Sequence, residues 1–174
     1  ADVAHARGVP LMVDNTTATA ALQRPMDFGA DIVLLSLTKF LAGNATVIGG
    51  AIIGPEPLIE DLRWNTTEFL GSVVSPLEAF MLLQYMETLS LRMQRHSENG
   101  LAVARFLENH SCVAWVRYPG LESSPTFDLK EKYLPRGQGA MVGFGIRGGR
   151  QAAVKFIESC KLFSHLANIG DAKS

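Results

Sequence analysis

The run ADIVLLS, Ala30 to Ser36, constrains this chain more than any other stretch. It is apolar without the polar alternation of a sheet face open to water. It therefore predicts a strand covered on both faces, as in a parallel sheet. Upstream, VPLMVD is a shorter β-rich run that ends in Asp14, and the polar NTTATAA after it reads as a loop. The opening ADVAHARG reads as the last two turns of a helix closed by Gly8. Helix, strand, loop and strand with short connections predict an α/β layer architecture. GGAIIG, Gly49 to Gly54, is a third candidate strand bracketed by glycines.

Downstream, SPLEAFMLLQYMETL has a strong helix start. Ser75 can cap, Pro76 suits the first turn, and Glu78 can close a capping box. This helix is apolar nearly all round to Leu89, which predicts burial. From Leu91 the pattern turns polar, RMQRHSENG, and then resumes as the amphipathic LAVARFLENH. That change marks an expected domain boundary, with residues 1–92 in one unit and 93–174 in a smaller α+β unit. In the second unit CVAWVRYPG reads as a strand and turn, and GAMVGFGIRGG as a strand with a glycine-rich exit. QAAVKFIESC reads as a helix and LFSHLA as a short strand.

The bulk properties exclude several classes of function. The 174 residues are 47% hydrophobic and 19% charged, enough apolar surface for one substantial core or two small ones. A net charge of −1 offers no nucleic-acid footprint and no patch for an anionic membrane. No apolar run is long enough to span a bilayer, and no signal peptide is evident, so a cytoplasmic protein is expected. Cys112 and Cys160 fit no metal spacing and read as free buried thiols in a reducing compartment. No metal site is expected: His5, His96, His110 and His165 have no ligand spacing and read as caps or surface residues. Trp64, Trp115 and the methionines at 81, 86 and 93 read as core or interface. RMQRHSE reads as an interdomain or subunit contact. Lacking an initial methionine and stopping at GDAKS without an evident terminal element, the chain reads as a piece of a longer protein.

Chemistry concentrates in LLSLTKFLAGN, Leu34 to Asn44. At strand period Ser36 and Thr38 point to the same side, with Leu37 opposite. Two hydroxyls at a strand end can donate to a phosphate or carboxylate oxygen, and Lys39 lies where the chain leaves the sheet. Open α/β sheets bind ligands at the carboxyl ends of their strands, where Asp14 also lies. A lysine amine, a paired-hydroxyl anion site and a strand-end carboxylate match the needs of pyridoxal phosphate. Yet a strand-end lysine is most often solvated, and a strand-end aspartate most often makes an Asx turn. Spacing leaves both readings open.

Whole segments add a resemblance. VDNTTATAALQRP, FGADIVLLSLTKFLAGN and VIGGAIIG resemble the cofactor segment of the Cys/Met-metabolism pyridoxal-phosphate enzymes. SPLEAFMLLQYMETLSLRMQRHSENGLAVARFLE and VRYPGL look like that family's next segments, in order. The resemblance covers nearly the whole chain, and KLFSHLANIGDAKS looks most like the O-acetylhomoserine sulfhydrylase branch. It implies a fold-type I, aspartate-aminotransferase-like α/β fragment lacking amino- and carboxyl-terminal parts. The later part of the large cofactor domain would precede much of the small domain.

By position, the resemblance makes Lys39 the Schiff-base lysine and Asp14 the partner of the pyridine nitrogen. Ser36 and Thr38 would bind the phosphate, and Asn15 and Thr16 would shape the loop beside the ring. Ser174 falls where the family's substrate-carboxylate loop has a serine. The implied reaction is γ-replacement, in which O-acetylhomoserine and sulfide or a thiol give homocysteine or methionine. Cystathionine γ-synthase and methionine or cystathionine γ-lyase are the family alternatives. A parent of this kind is expected to be a homo-oligomer, a tetramer built as a dimer of dimers.

The chain departs from the family pattern at Thr17, Ala20, Leu37 and Gly43-Asn44. Leu37 and Ala42 bear directly on the turn that presents the lysine. Family members are more than twice this length. Their flanks supply a glycine turn on the phosphate, a tyrosine stacked on the ring, and an arginine that grips the substrate carboxylate. A tyrosine and an arginine also come across a dimer interface. The chain alone is therefore expected to be inactive, and a folded remnant that catalyses nothing is the rival from another class.

Overall fold

The computed structural model describes residues 1–173. A short helix α1, Asp2–His5, leads through Gly8 into strand β1, Met12–Asp14. One turn of helix, α2, Thr19–Leu22, and a 3-10 turn, Pro25–Phe28, then carry the chain to strand β2, Ile32–Ser36. The segment read as a polar loop, residues 15–21, thus contains all of α2 but its last residue, Leu22.

β1 pairs with β2 in parallel, Asp14 lying opposite Leu34. Strand β3, Gly50–Ile53, pairs with the other side of β2, but antiparallel, Ser36 lying opposite Gly50. A parallel return needs a crossover, usually a helix. Here residues 37–49 form a turn at the end of the sheet and lead straight back. Burial of β2 also differs from expectation. Val33 and Leu35 are buried, whereas Ile32, Leu34 and Ser36 are half-buried. Among the described residues the apolar packing gathers on one face, where Ala30, Val33, Leu35, Leu37 and Leu41 meet Val74 and Leu82.

After β3 come helix α3, Glu56–Asp61, a wide helical stretch, Leu62–Thr67, and helix α4, Glu68–Leu70. Helix α5, Pro76–Met86, starts with the expected capping box. Ser75 Oγ accepts from Glu78 N, and Glu78 Oε2 accepts from Ser75 N, each at 3.2 Å. Its expected burial fails: no residue of α5 is buried, and Leu77, Phe80 and Leu83 are each at least 60% exposed. An all-round apolar pattern records what a helix can bury, not which elements pack on it.

Helix α6, Leu89–Glu108, is continuous through residues 92 and 93, where the polarity of the sequence changes. Its buried stripe, Leu89, Met93, Ser97, Gly100 and Ala104, keeps helical spacing straight through the polar run. Leu89 and Met93 pack with Leu22 and Phe40, which joins α6 to the end of β2. Farther along, Ala104 packs with Tyr118 and Leu121.

Strands β4, Val113–Arg117, and β5, Gly143–Ile146, form an antiparallel pair, with the short helix α7, Lys130–Tyr133, between them in sequence. Helix α8, Gly149–Ser159, follows β5. LFSHLA forms no strand. Its Leu162, Phe163 and Leu166 are exposed, and the chain after it crosses to the end of β2 instead of pairing with β5.

One further expectation, the burial of both cysteines, is corrected. Cys112 is exposed and Cys160 half-buried, although both are free thiols as expected. Trp64 and Trp115 are exposed, as is Met86, and only Met93 of the three methionines belongs to the core. None of the described helices is long and apolar enough to cross a membrane.

Candidate active site

Because β1 and β2 are parallel neighbours, Asp14 and Ser36 leave the sheet at the same end. Thr16 ties the two exits together, its Oγ1 accepting from Ser36 N at 2.8 Å. Asn15 fixes the loop between them. Its backbone N donates to Leu34 O at 2.9 Å and its Nδ2 to Gln23 O at 3.0 Å. Both Asn15 and Thr16 are buried, so this loop is held from within.

Asp14 is exposed and makes the Asx turn expected of its position, Oδ1 accepting from Thr16 N at 3.0 Å. Hydrogen bonding from the Thr16 side chain, and next from its backbone N–H, holds the Asp14 carboxyl below its ordinary value. The Asx turn therefore does not compete with a functional role. It keeps the group anionic at the mouth of the strand.

Beyond Ser36 the chain enters a wide helical turn, Leu37–Leu41, broken at Lys39, whose φ of −88° and ψ of −124° are not helical. Leu37, Phe40 and Leu41 are buried and anchor the turn, while Thr38 and Lys39 stay half-buried on its open side. Leu37 packs into the sheet core. Thr38 Oγ1 accepts from Gly49 N at 3.1 Å, which leaves its proton to donate elsewhere.

Lys39 Nζ donates to Asn168 Oδ1 at 2.8 Å. The segment around Asn168 lies on the lysine turn at two more points. Ala172 N donates to Gly43 O at 2.9 Å, and Gly170 packs against Phe40. A Cβ on Gly170 would come within 2.7 Å of Phe40 N, and its φ of +76° also favours glycine.

Sequence reasoning identified Asp14, Thr16, Ser36, Thr38 and Lys39, and the structure brings all five to one end of the sheet. Ser174, assigned to the substrate-carboxylate loop, lies outside the described residues. Two residues were missed, Asn168 and Arg92. Arg92 reaches into the lysine turn, Nη1 donating to Phe40 O at 2.7 Å and Nη2 to Leu41 O at 2.9 Å. The helical spacing of Leu89, Met93 and Ser97 was a usable signal, since it places Arg92 beside the buried stripe. For Asn168 no local signal existed. His96 stacks edge-on against Phe40, ring centroids 5.4 Å apart, and burial together with the Arg92 charge lowers its pKa. Among the described residues no cluster of His, Cys, Asp or Glu could hold a metal ion.

The arrangement offers an amine, a carboxylate held anionic and two hydroxyls around one end of a sheet. An amine of this kind can form an imine with an aldehyde, and the hydroxyls can hold an anion.

Comparison with known proteins agrees with this chemistry. The model of the family described as Cys/Met metabolism PLP-dependent enzyme matches residues 1–174. The O-acetyl-L-homoserine sulfhydrylase of Leptospira meyeri is 42% identical over 212 aligned residues, covering 99% of this chain and 48% of the relative. The L-methionine gamma-lyase of Treponema denticola is 39% identical over 175, covering 99% of this chain and 43% of the relative. The crystal structure of cystathionine gamma synthase from Xanthomonas oryzae pv. oryzae, in complex with aminoacrylate and cysteine, superposes with a TM-score of 0.90. It is 36% identical and covers 99% of this chain and 44% of that one. The chain thus spans about half the length of the relatives it matches. Its fold is that of a partial fold-type I α/β enzyme.

Proposed function

Since the chain belongs to the Cys/Met-metabolism pyridoxal-phosphate-dependent enzyme family, we propose that it forms the cofactor-bearing part of a γ-replacement enzyme. The substrates would be O-acetylhomoserine and sulfide or a thiol, and the product homocysteine or methionine. The observation that carries this reading is the placement of the Lys39 amine and the Asp14 carboxylate at the same end of parallel neighbours.

The residues present fit pyridoxal phosphate by the chemistry of their donor set. Lys39 Nζ is the amine able to hold the aldehyde, and Asp14, kept anionic by Thr16, suits a protonated pyridine nitrogen. Ser36 and Thr38 would donate to the phosphate. When bound, the cofactor supplies the electron sink for charge formed beside the substrate's amine. Lys39 Nζ, beside the substrate's amine, would move protons at the substrate's α and β carbons. Asp14 would hold the ring nitrogen cationic through those steps. Acetate would leave from the γ carbon, and the sulfur nucleophile would add there.

A second reading, γ-elimination, has its own support. The alignment with the sulfhydrylase runs over 212 positions, whereas the γ-lyase aligns over 175 for a chain of 174 residues. The sulfhydrylase therefore carries residues with no counterpart here. The full-length parent, loaded with pyridoxal phosphate, separates the readings. Homocysteine from O-acetylhomoserine and sulfide supports replacement, and release of a 2-oxo acid and ammonia from methionine alone supports the lyase. Borohydride reduction should fix a pyridoxyl group on Lys39, and a label on Lys155 or Lys161 instead would overturn the site.

A further inference from the structure

The carbonyls of Phe40 and Leu41 directly follow the lysine. Within the turn, Leu37 O accepts from Ala42 N at 3.0 Å and Lys39 O from Gly43 N at 2.8 Å. The carbonyls of residues 40 and 41 are instead taken by the Arg92 guanidinium, at 2.7 and 2.9 Å. The same guanidinium donates to Tyr85 O at 3.0 Å and, through Nε, to Thr88 Oγ1 at 3.3 Å. One planar fork thus links the lysine turn, the end of α5 and the start of α6. A lysine, as a point charge on a flexible stem, cannot reproduce that geometry.

The turn is shaped to admit the guanidinium. Gly43 has a φ of +74°, and a Cβ there would stand 2.5 Å from Arg92 Nη1. The glycine therefore meets both a backbone need and a space need. Burial also lowers the pKa of Arg92, so its contacts are made at a partly desolvated site. Desolvated charged hydrogen bonds of this kind are stronger and more directional than surface ones.

We propose that Arg92 is a positioning residue for Lys39, fixing through the carbonyls of Phe40 and Leu41 the direction in which the turn presents the amine. The proposal rests on the reading of Lys39 as the cofactor lysine. It assigns a task to a residue whose hydrogen bonds go to the carbonyls of Phe40, Leu41 and Tyr85 and to the Thr88 hydroxyl. The amine ends a long side chain, so a small rotation of the turn is magnified at Nζ. Displacements near 1 Å at a reacting atom cost on the order of a hundredfold in rate. Asn168 restrains the amine itself, whereas Arg92 restrains the backbone that carries it.

The test uses the full-length parent with Arg92→Ala and Arg92→Lys. Three quantities are read: the share of Lys39 labelled by borohydride reduction, the visible circular dichroism of bound pyridoxal phosphate, and kcat apart from KM. With Arg92→Ala, kcat should fall at least about tenfold with KM little changed. The visible dichroism should change, because it reports how the ring is held and not how stable the fold is. Arg92→Lys should lie between Ala and wild type in both. If Arg92→Ala does not fold, Arg92→Lys decides: an altered dichroic band supports the proposal, and wild-type values overturn it. Variants that fold and match wild type in dichroism and kcat while only melting earlier also overturn it. Absence of label on Lys39 in the wild type would instead overturn the cofactor reading, a separate outcome.

Discussion

Lys39 Nζ and Asn168 Oδ1 lie 2.8 Å apart, although 129 positions separate the two residues in sequence. The contact brings the segment after α8 onto the turn that ends β2. Gly170 against Phe40 and Ala172 on Gly43 extend the same junction. The lysine is thus held by its own strand, by α6 through Arg92, and by a late segment of the chain. An amine hydrogen-bonded at Nζ, on a turn whose backbone is itself held by Arg92, is pre-organised in a way that a solvated lysine is not.

Asn168→Ala removes the acceptor without touching the lysine turn. In the full-length parent kcat should fall about tenfold, roughly 1.4 kcal/mol of barrier, while Lys39 remains labelled by borohydride. Steady-state kinetics with peptide mapping check both. An unchanged kcat would reduce the contact to packing.

Asp14→Asn abolishes the charge but preserves the Asx turn, since an amide oxygen can also accept from Thr16 N. The fold should survive and kcat should fall by more than about tenfold. A smaller change would leave Asp14 as a turn residue only. The pH dependence has a definite sign. The folded carboxyl lies below its ordinary 3.8, so its contribution is complete above that value and is lost as pH falls through the depressed one. Thr16→Ala takes away the side-chain hydrogen bond and should move that acid limb upward. Carboxyl titration by NMR measures the shift.

Tyr118 is 1% exposed, and its hydroxyl faces the carbonyls of Ser97 at 3.1 Å and Gly139 at 2.9 Å. Burial raises its pKa from 10.0 to about 12. The unfolded chain therefore binds fewer protons between those values, and stability should fall as pH rises from about 10 towards 12. Tyr118→Phe should cost about 1 kcal/mol near neutrality and remove this alkaline limb. Denaturant titrations at a series of pH values test both effects.

The 174-residue chain expressed alone should show no turnover with pyridoxal phosphate, O-acetylhomoserine and sulfide. β1 is a sheet edge, Asp14 is exposed, and Leu77, Phe80 and Leu83 of α5 face solvent. Such edges and apolar faces also favour aggregation. Homocysteine formation at the rate of a full-length relative would show that the chain suffices.

What could be read along the chain was local. The strand at ADIVLLS, the strand end at Asp14 and the capping box of α5 depend on near neighbours and are present. By contrast, β2 is buried on one face only, and Thr38 and Lys39 lie on a helical turn beyond the strand, not at strand period. Parallel pairing then places Asp14 beside Ser36 with no further information. Tertiary packing settled the antiparallel return of β3, the exposure of α5 and the course of residues 162–167. It also settled the two residues that hold the lysine, and the reason is physical. Arg92 recognises backbone carbonyls, which every residue carries, so no side-chain pattern announces its partners. Asn168 meets Lys39 only after two distant segments have packed. Polarity and period record what a side chain can do, and packing selects which atoms it meets.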